Sequence, residues 1–308
     1  MQQLSEKPDT GRMPFLSDHT YQSACFSFYD TDNQLLFSLS GSTWNLQDRG
    51  FARRPDTKNS FSNNPWDIEE CLKEYIKRKN SQFEKIFNEI MIGKDFLFLQ
   101  EIDFLVAGDK AGYKIPQKLK NQLKTYFQKK IHELSWRLLI TPASTKESDE
   151  KECHPLGIIY NTKTLFYLSE SRGLFEHPRS GYRAYEWRFL HTASQTRIAL
   201  TNLHLAYEID YNDLIYQYQC AQVKNNLLTI MGGDTNHSSL NMISAIGNSQ
   251  YATNLEQRNN YSQISHIDNR SHVVKDYDCF FVNPTKNSYV KLSELKGEYF
   301  GGDEGELE

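Results

Sequence analysis

The chain has no excess of positive charge. Lys and Arg number 35 against 39 Asp and Glu, a formal net charge of −4. Without a general basic field, tight non-specific binding to duplex DNA, which relies on neutralising many phosphates, is disfavoured. Long apolar runs are also missing: nothing approaches the roughly 20 apolar residues that span a bilayer. The opening stretch MQQLSEKPDTGRMPF has no apolar segment after a basic start. The expectation is a soluble, cytoplasmic protein with no membrane span and no evident obligate protein partner. Close cysteine pairs are absent too. Cys25, Cys71, Cys153, Cys220 and Cys279 are scattered and odd in number, which argues against a zinc cage or a disulfide framework and reads as reduced thiols. No internal repeat or composition break divides the chain.

Aromatic residues are abundant. At 13% of the chain, against a hydrophobic share of 38%, Tyr and Phe must supply much of the core volume. Residues 1–33 are polar and aperiodic and read as a loosely packed lead-in, residues 34–300 as one domain, and 301–308 as an acidic tail. Within the domain, QLLFSLSGSTWN reads as a strand delivering Trp44 and Asn45 at its end. Asn64-Pro65 starts a long amphipathic helix running to about Ile90. DFLFLQEID is a continuous apolar strand, the pattern of burial on both faces. A helix over about Pro116–Leu134 follows, then strands at WRLLITP, LGIIYN, TLFYL, YEWRFLHT and TRIALTNLHL, a weaker helix over about Tyr211–Leu227, and strands LLTIMGG and YDCFFV. Mixed strands with helices on both sheet faces are expected.

Polar clusters recur at the strand ends: Asn45 in TWN, Glu101 in LQE, His204 in NLHL, Asp234 and Asn236 in GGDTN, and Asp278 in YDCFFV. Each alone is an ordinary turn or surface residue. Their recurrence points to a ligand site, because open α/β sheets gather such sites at strand ends. Carboxylates and amides with an imidazole make an oxygen-rich set suited to a hard cation, Mg²⁺ or Mn²⁺, more than to zinc. Gly232 and Gly233 let the backbone turn sharply, so that Asp234 and Asn236 point into one cleft.

The ordered set TWN, LQE, GIIYN, NLHL, GDTN and YDCFFV resembles the endonuclease/exonuclease/phosphatase superfamily over about residues 35–285. The resemblance implies a two-sheet (four-layer) α/β sandwich with helices on the outer faces and a metal-dependent phosphoesterase site at one edge. Carried over position by position, Glu101 is the principal metal ligand with Asn45 close by. Asp234 orients or activates the attacking water, Asn236 binds phosphate or water, His204 stabilises developing negative charge, and Asp278 joins the metal or histidine network. The implied substrate is nucleic acid or a phosphorylated small molecule.

The resemblance breaks at the end of the chain. Family members close with an Asp-His pair, often Ser-Asp-His, followed by an apolar strand, whereas here KLSELKGEYFGGDEGELE has no histidine after His272, and Asp303-Glu304 stands where the pair aligns. Three explanations stay open: the chain is cut before its true terminus, His266, His272 or His237 substitutes from another loop, or hydrolysis is lost and a binding or effector module keeps the fold. The acidic end also resembles the Glu-rich C-terminal signals of bacterial effectors exported by type IV secretion. In HPRSGYRAYEWR, Arg179, Arg183 and Arg188 interleave with Tyr182, Tyr185 and Trp187. That mixture can contact phosphates or stack bases, or else mark a strand with solvated arginines.

Overall fold

The computed structural model describes residues 17, 19, 21–46, 68–105, 116–142, 155–177, 181–206, 209–236, 266–268, 273–275, 278–283, 285 and 288–298. The start of the first helix at Asn64-Pro65, the charged loop 143–154, Arg179, His237, His272 and the tail 301–308 lie outside them. Helices α1 (Ile68–Lys85, continued by a π turn Ile86–Ile90), α2 (Gln117–Glu133) and α3 (Asn212–Lys224) join thirteen strands. β1 is Tyr21–Asp30, β2 Leu35–Asn45, β3 Phe96–Gln100, β4 Trp136–Ile140, β5 Gly157–Asn161, β6 Leu165–His177 and β7 Gly181–His191. β8 is Arg197–His204, β9 Leu228–Asp234, β10 His266–Asp268, β11 Val273–Lys275, β12 Asp278–Asn283 and β13 Ser288–Glu298.

A six-stranded sheet runs in the order β13-β1-β2-β3-β5-β4 and a five-stranded sheet in the order β12-β9-β8-β7-β6, with β10 and β11 a separate pair. The two sheets stack through an aromatic core in which Phe26, Phe96 and Phe98 of one meet Trp187, Phe189 and Phe280 of the other. Phe26 and Phe280 touch edge to face at 5.4 Å, a favoured arrangement for such rings. The strand FLFLQ is buried on both faces, as its unbroken apolar run predicts. Phe96 and Phe98 enter the inter-sheet core, while Leu97 and Leu99 pack outward with Phe83 and Ile86 of the first helical stretch and Leu123 and Phe127 of α2. On the far side, Tyr211, Ile215 and Tyr218 from α3 and the residue before it pack on Ala184, Leu203 and Met231. The expected four-layer sandwich with outer helices is therefore present.

Two regions differ from expectation. Residues 21–30, read as part of a loose lead-in, form β1, an interior strand paired antiparallel to β2 on one side and β13 on the other. The serine-rich sequence hides it: Phe26 and Phe28 point into the core, while Ser23 and Ser27 bond Ser42 and Ser38 across the opposite face. β13, a strand the sequence reading did not place, is an edge strand that buries Val290 and leaves Lys291 exposed. An edge strand needs few apolar residues to hold its place.

In the described part of the arginine-rich segment, Arg183 and Arg188 are held by other protein groups and do not form a plain solvated face. Arg183 is buried and donates to the His204 carbonyl at 3.4 Å, Arg188 is tied into carboxylates, and Tyr185 and Trp187 belong to the core. Among the described residues, no helix is long and apolar enough to cross a membrane.

Candidate active site

β2, β3, β8 and β9 end together. β2 and β3 are parallel with Asn45 beside Gln100, and β8 and β9 are parallel with His204 beside Asp234. Parallel strands deliver their carboxyl ends to one edge, so four separate segments place polar residues in one cleft.

Asp234 is its centre. The carboxylate is 1% exposed; Asn45 Nδ2 donates to Oδ2 at 2.9 Å, the Asn236 backbone N–H donates to Oδ1 at 2.9 Å, and Asn236 Nδ2 reaches Oδ2 at 3.3 Å. His204 Nε2 lies 3.6 Å from the same Oδ2 and 3.7 Å from Glu101 Oε1. Glu101 and Asp234, from different sheets, thus face one imidazole. Asn45, Glu101, His204, Asp234 and Asn236 come together as the sequence pattern expects. Asp278 lies opposite Asp234 in the β12–β9 register, and its position is described by backbone only.

Local backbone geometry explains the sequence around these groups. Gly233 has φ +142, and a Cβ there would stand 2.1 Å from the Leu203 carbonyl oxygen. A side chain is excluded by backbone it cannot displace. Asn236 at φ 53 and Glu101 at φ 50 both occupy the left-handed region, which Asn tolerates and Glu seldom adopts. The Glu101 turn ends β3 abruptly and directs its carboxylate back toward His204. Gly233→Ala is expected to destabilise the protein by about 3 kcal/mol or more, combining backbone strain with a steric clash. A thermal melt checks this, and an unchanged midpoint contradicts it.

Behind the cleft, Gln100 Nε2 donates to Asn202 Oδ1 at 2.6 Å across the two sheets, and Asn202 Nδ2 donates to the carbonyls of Leu99 at 2.9 Å and Gly157 at 2.8 Å. From α1, Arg78 Nη2 and Gln82 Nε2 both donate to the Leu46 carbonyl, at 3.0 and 2.9 Å. These side chains hold the strand ends that carry Asn45 and Glu101. Their helical spacing says only that they sit on one stretch of helix, so nothing in the sequence marked them.

His19 was missed altogether. Its Nε2 lies 3.7 Å from Asp234 Oδ2, and the residue is 5% exposed. Its carbonyl accepts from Trp44 Nε1 at 3.1 Å, and its N–H donates to Ser17 Oγ, which itself donates to the Asn45 carbonyl at 2.6 Å. The signal was available in LSDHTYQSACFSF, a histidine just before a strand. His266, a candidate substitute, lies on β10, which among the described residues pairs with β11 in a two-stranded ribbon.

The donor set fits a hard cation held by few protein groups. Among the described residues no set of three or more His, Cys, Asp and Glu is gathered as a metal cage. Mg²⁺ characteristically keeps several waters and takes one or two carboxylates. Asn45 donates its amide nitrogen to Asp234 and, at the end of β2, stands beside Gln100, the residue before Glu101.

A two-sheet sandwich with carboxylates, amides and imidazoles at its converging strand ends is a fold with a built polar site. No protein-family model and no curated protein matches the chain. Among solved structures it is similar to a humanized D. rerio TDP2 bearing 14 mutations, at 13% identity over 80% of this chain and 84% of that one, TM-score 0.49. It is also similar to the human Nocturnin catalytic domain with bound sulfate, at 13% identity over 69% and 78%, TM-score 0.42. A third likeness is an endonuclease/exonuclease/phosphatase family protein from Bacteroides thetaiotaomicron, at 13% identity over 67% and 75%, TM-score 0.47.

Proposed function

We propose that the chain is a divalent-metal-dependent phosphoesterase acting on phosphodiester or phosphomonoester bonds, with nucleic acid or a nucleotide as the favoured substrate class. The observation that carries this reading is the meeting of Glu101 and Asp234, from separate sheets, at His204 Nε2.

Each group has a task that its surroundings support. Glu101 and Asn45 would hold Mg²⁺ or Mn²⁺, which would supply neutralisation of charge on a phosphoryl oxygen. Asp234 accepts a proton from the attacking water as the water oxygen bonds to phosphorus. Fixed donors from Asn45 and Asn236 keep that carboxylate aimed. The scissile P–O bond breaks with its electron pair on the leaving oxygen, which then takes up a proton from solvent. His204 donates an N–H toward the negative charge that builds on the phosphoryl group, a role in which fixed dipoles are most effective. Asn236 donates its side-chain N–H groups to the Leu205 carbonyl at 2.7 Å and to Asp234 at 3.3 Å, so it acts on the water through the carboxylate it fixes, and Asp278, in register beside Asp234, supports the network.

Mg²⁺- or Mn²⁺-dependent hydrolysis of bis-p-nitrophenyl phosphate is the expected result, with Glu101→Ala lowering turnover by about a hundredfold or more and raising the metal concentration needed. Metal-independent turnover, or a Glu101→Ala protein equal to wild type, overturns the reading in favour of a binding module.

A further inference from the structure

We propose that His19 supplies the second catalytic imidazole of this site, and that the chain reaches it by a circularly permuted order in which the closing segment of the fold comes first. The assignment rests on the phosphoesterase reading above.

Geometry carries the first half. Asp234 Oδ2 has an imidazole on either hand, His204 at 3.6 Å and His19 at 3.7 Å, both side chains almost fully buried. Neither contact is a direct hydrogen bond at that distance; each ring lies against the carboxylate, close enough to act on a group that the carboxylate also touches. A buried imidazole beside a buried carboxylate is seldom only core filling, because its polar nitrogens need partners that packing alone does not supply. His19 is also fixed from several sides. The Trp44 indole holds its carbonyl, and Ser17 bridges its N–H to the carbonyl of Asn45. With its backbone tied to Trp44 and, through Ser17, to Asn45, His19 moves with the end of β2. In turnover its N–H donates to a non-bridging phosphoryl oxygen across the cleft from His204.

Strand order carries the second half. The triplet Ser17-Asp18-His19 runs straight into β1, an apolar strand antiparallel to the TWN strand β2. Ser-Asp-His followed by an apolar strand is the arrangement that the resemblance implies for the closing segment of the fold. β1 joins β2 through the tight turn Thr31–Gln34, where the Asp30 N–H donates to the Gln34 carbonyl at 3.0 Å and Asp30 Oδ1 accepts from the N–H groups of Asp32 and Gln34. On its other flank β1 pairs with β13, with Tyr21 opposite Glu298. The end of β13 therefore arrives where the segment carrying His19 begins. Cutting at the Thr31–Gln34 turn and joining the last residue to the first gives a chain that ends in Ser-Asp-His and its strand. The Ser-Asp-His triplet thus stands ahead of the strand that flanks β2.

The test has two arms. His19→Ala is expected to lower kcat on bis-p-nitrophenyl phosphate by about a hundredfold with KM little changed, and free imidazole is expected to restore about tenfold of the loss. His19→Gln, which keeps a side-chain N–H donor in place of the ring, is expected to fall between the two and guards against a fold defect in the alanine protein. In the second arm, a gene that starts at Gln34 and joins Glu308 to Met1 ahead of residues 2–33 is expected to give a folded protein with wild-type kcat. If wild type turns over and His19→Ala stays within about threefold of it, or imidazole restores nothing, the catalytic assignment fails alone. If the rearranged chain does not fold, the permutation fails. If wild type itself is inert with every metal, the phosphoesterase reading fails and His19 falls with it.

Discussion

Asp234→Asn is expected to lower phosphodiester turnover by about a thousandfold while the sandwich stays folded. The substitution keeps size and shape at a residue that is 1% exposed, so packing survives. Charge does not. Oδ2 now receives the Asn45 amide at 2.9 Å and faces both imidazoles. An amide can offer an oxygen to only one of its two sets of donors, and its NH₂ then opposes an N–H. The water loses its proton acceptor, and the donors around it lose the anion that aligned them. Loss in kcat with little change in KM is the signature of an interaction made chiefly in the transition state. Asp234→Ala is expected to add a stability cost of about 1–3 kcal/mol, because the Asn45 amide and the Asn236 N–H lose their buried acceptor. Steady-state kinetics with a parallel thermal melt separate the two effects. An Asp234→Asn enzyme within tenfold of wild type contradicts the mechanism.

Glu186→Ala is expected to cost about 3–5 kcal/mol of stability, the range found when one partner of a buried ionic network is removed. Glu186, on β7, is 0% exposed. It accepts from Arg172 at 3.1 and 3.2 Å, from Arg188 at 2.8 Å, from Gln222 Nε2 at 2.7 Å and from the Tyr218 hydroxyl. Tyr218 and Gln222 belong to α3, so this carboxylate fastens the helix to its sheet. Burial pushes the Glu186 carboxyl up, but the donors from Tyr218, Arg172 and Arg188 together outweigh it and hold the group below its ordinary value of 4.5. Burial, with Glu186 beside it, drives the Tyr218 phenol upward, so it stays a donor.

The sign of the pH effect follows. A carboxyl whose folded value lies below its unfolded value contributes stability that is fully present above the unfolded value and is lost as pH falls through the folded one. The melting point of wild type should therefore fall more steeply than that of Glu186→Gln once pH drops below about 4.5. Arg172 is half exposed, and its share of the network is screened by solvent. Equal acid limbs for the two proteins exclude this role.

Much of the site was legible because its chemistry is written at strand ends. Glu101, His204 and Asp234 each terminate an apolar run, and an apolar run followed abruptly by a polar residue is a signal that periodicity detects. Gly233 was legible for the same reason: a glycine before such a residue has a steric use. Hidden from the sequence were elements whose role depends on pairing. β1 alternates serine with phenylalanine and resembles a polar lead-in until β2 and β13 flank it. β10 and β11 are too short for any period to register. His19 stayed hidden because a single histidine ahead of a strand carries no pattern, and only its nearness to Asp234 in space marks it. Arg78, Gln82 and Glu186 were invisible as buried polar anchors, since charged residues on a helix or strand ordinarily face water.

The Gln100–Asn202 hydrogen bond has one more consequence. Glu101 belongs to one sheet and Asp234 to the other, so the span across the cleft is set by how far apart the two layers stand. That spacing is gauged one residue behind Glu101, by two amides that touch no reactant. A shim there, such as a longer or an apolar side chain at Asn202, would alter the bite of the two carboxylates without replacing either, so reactivity is tuned from inside the wall.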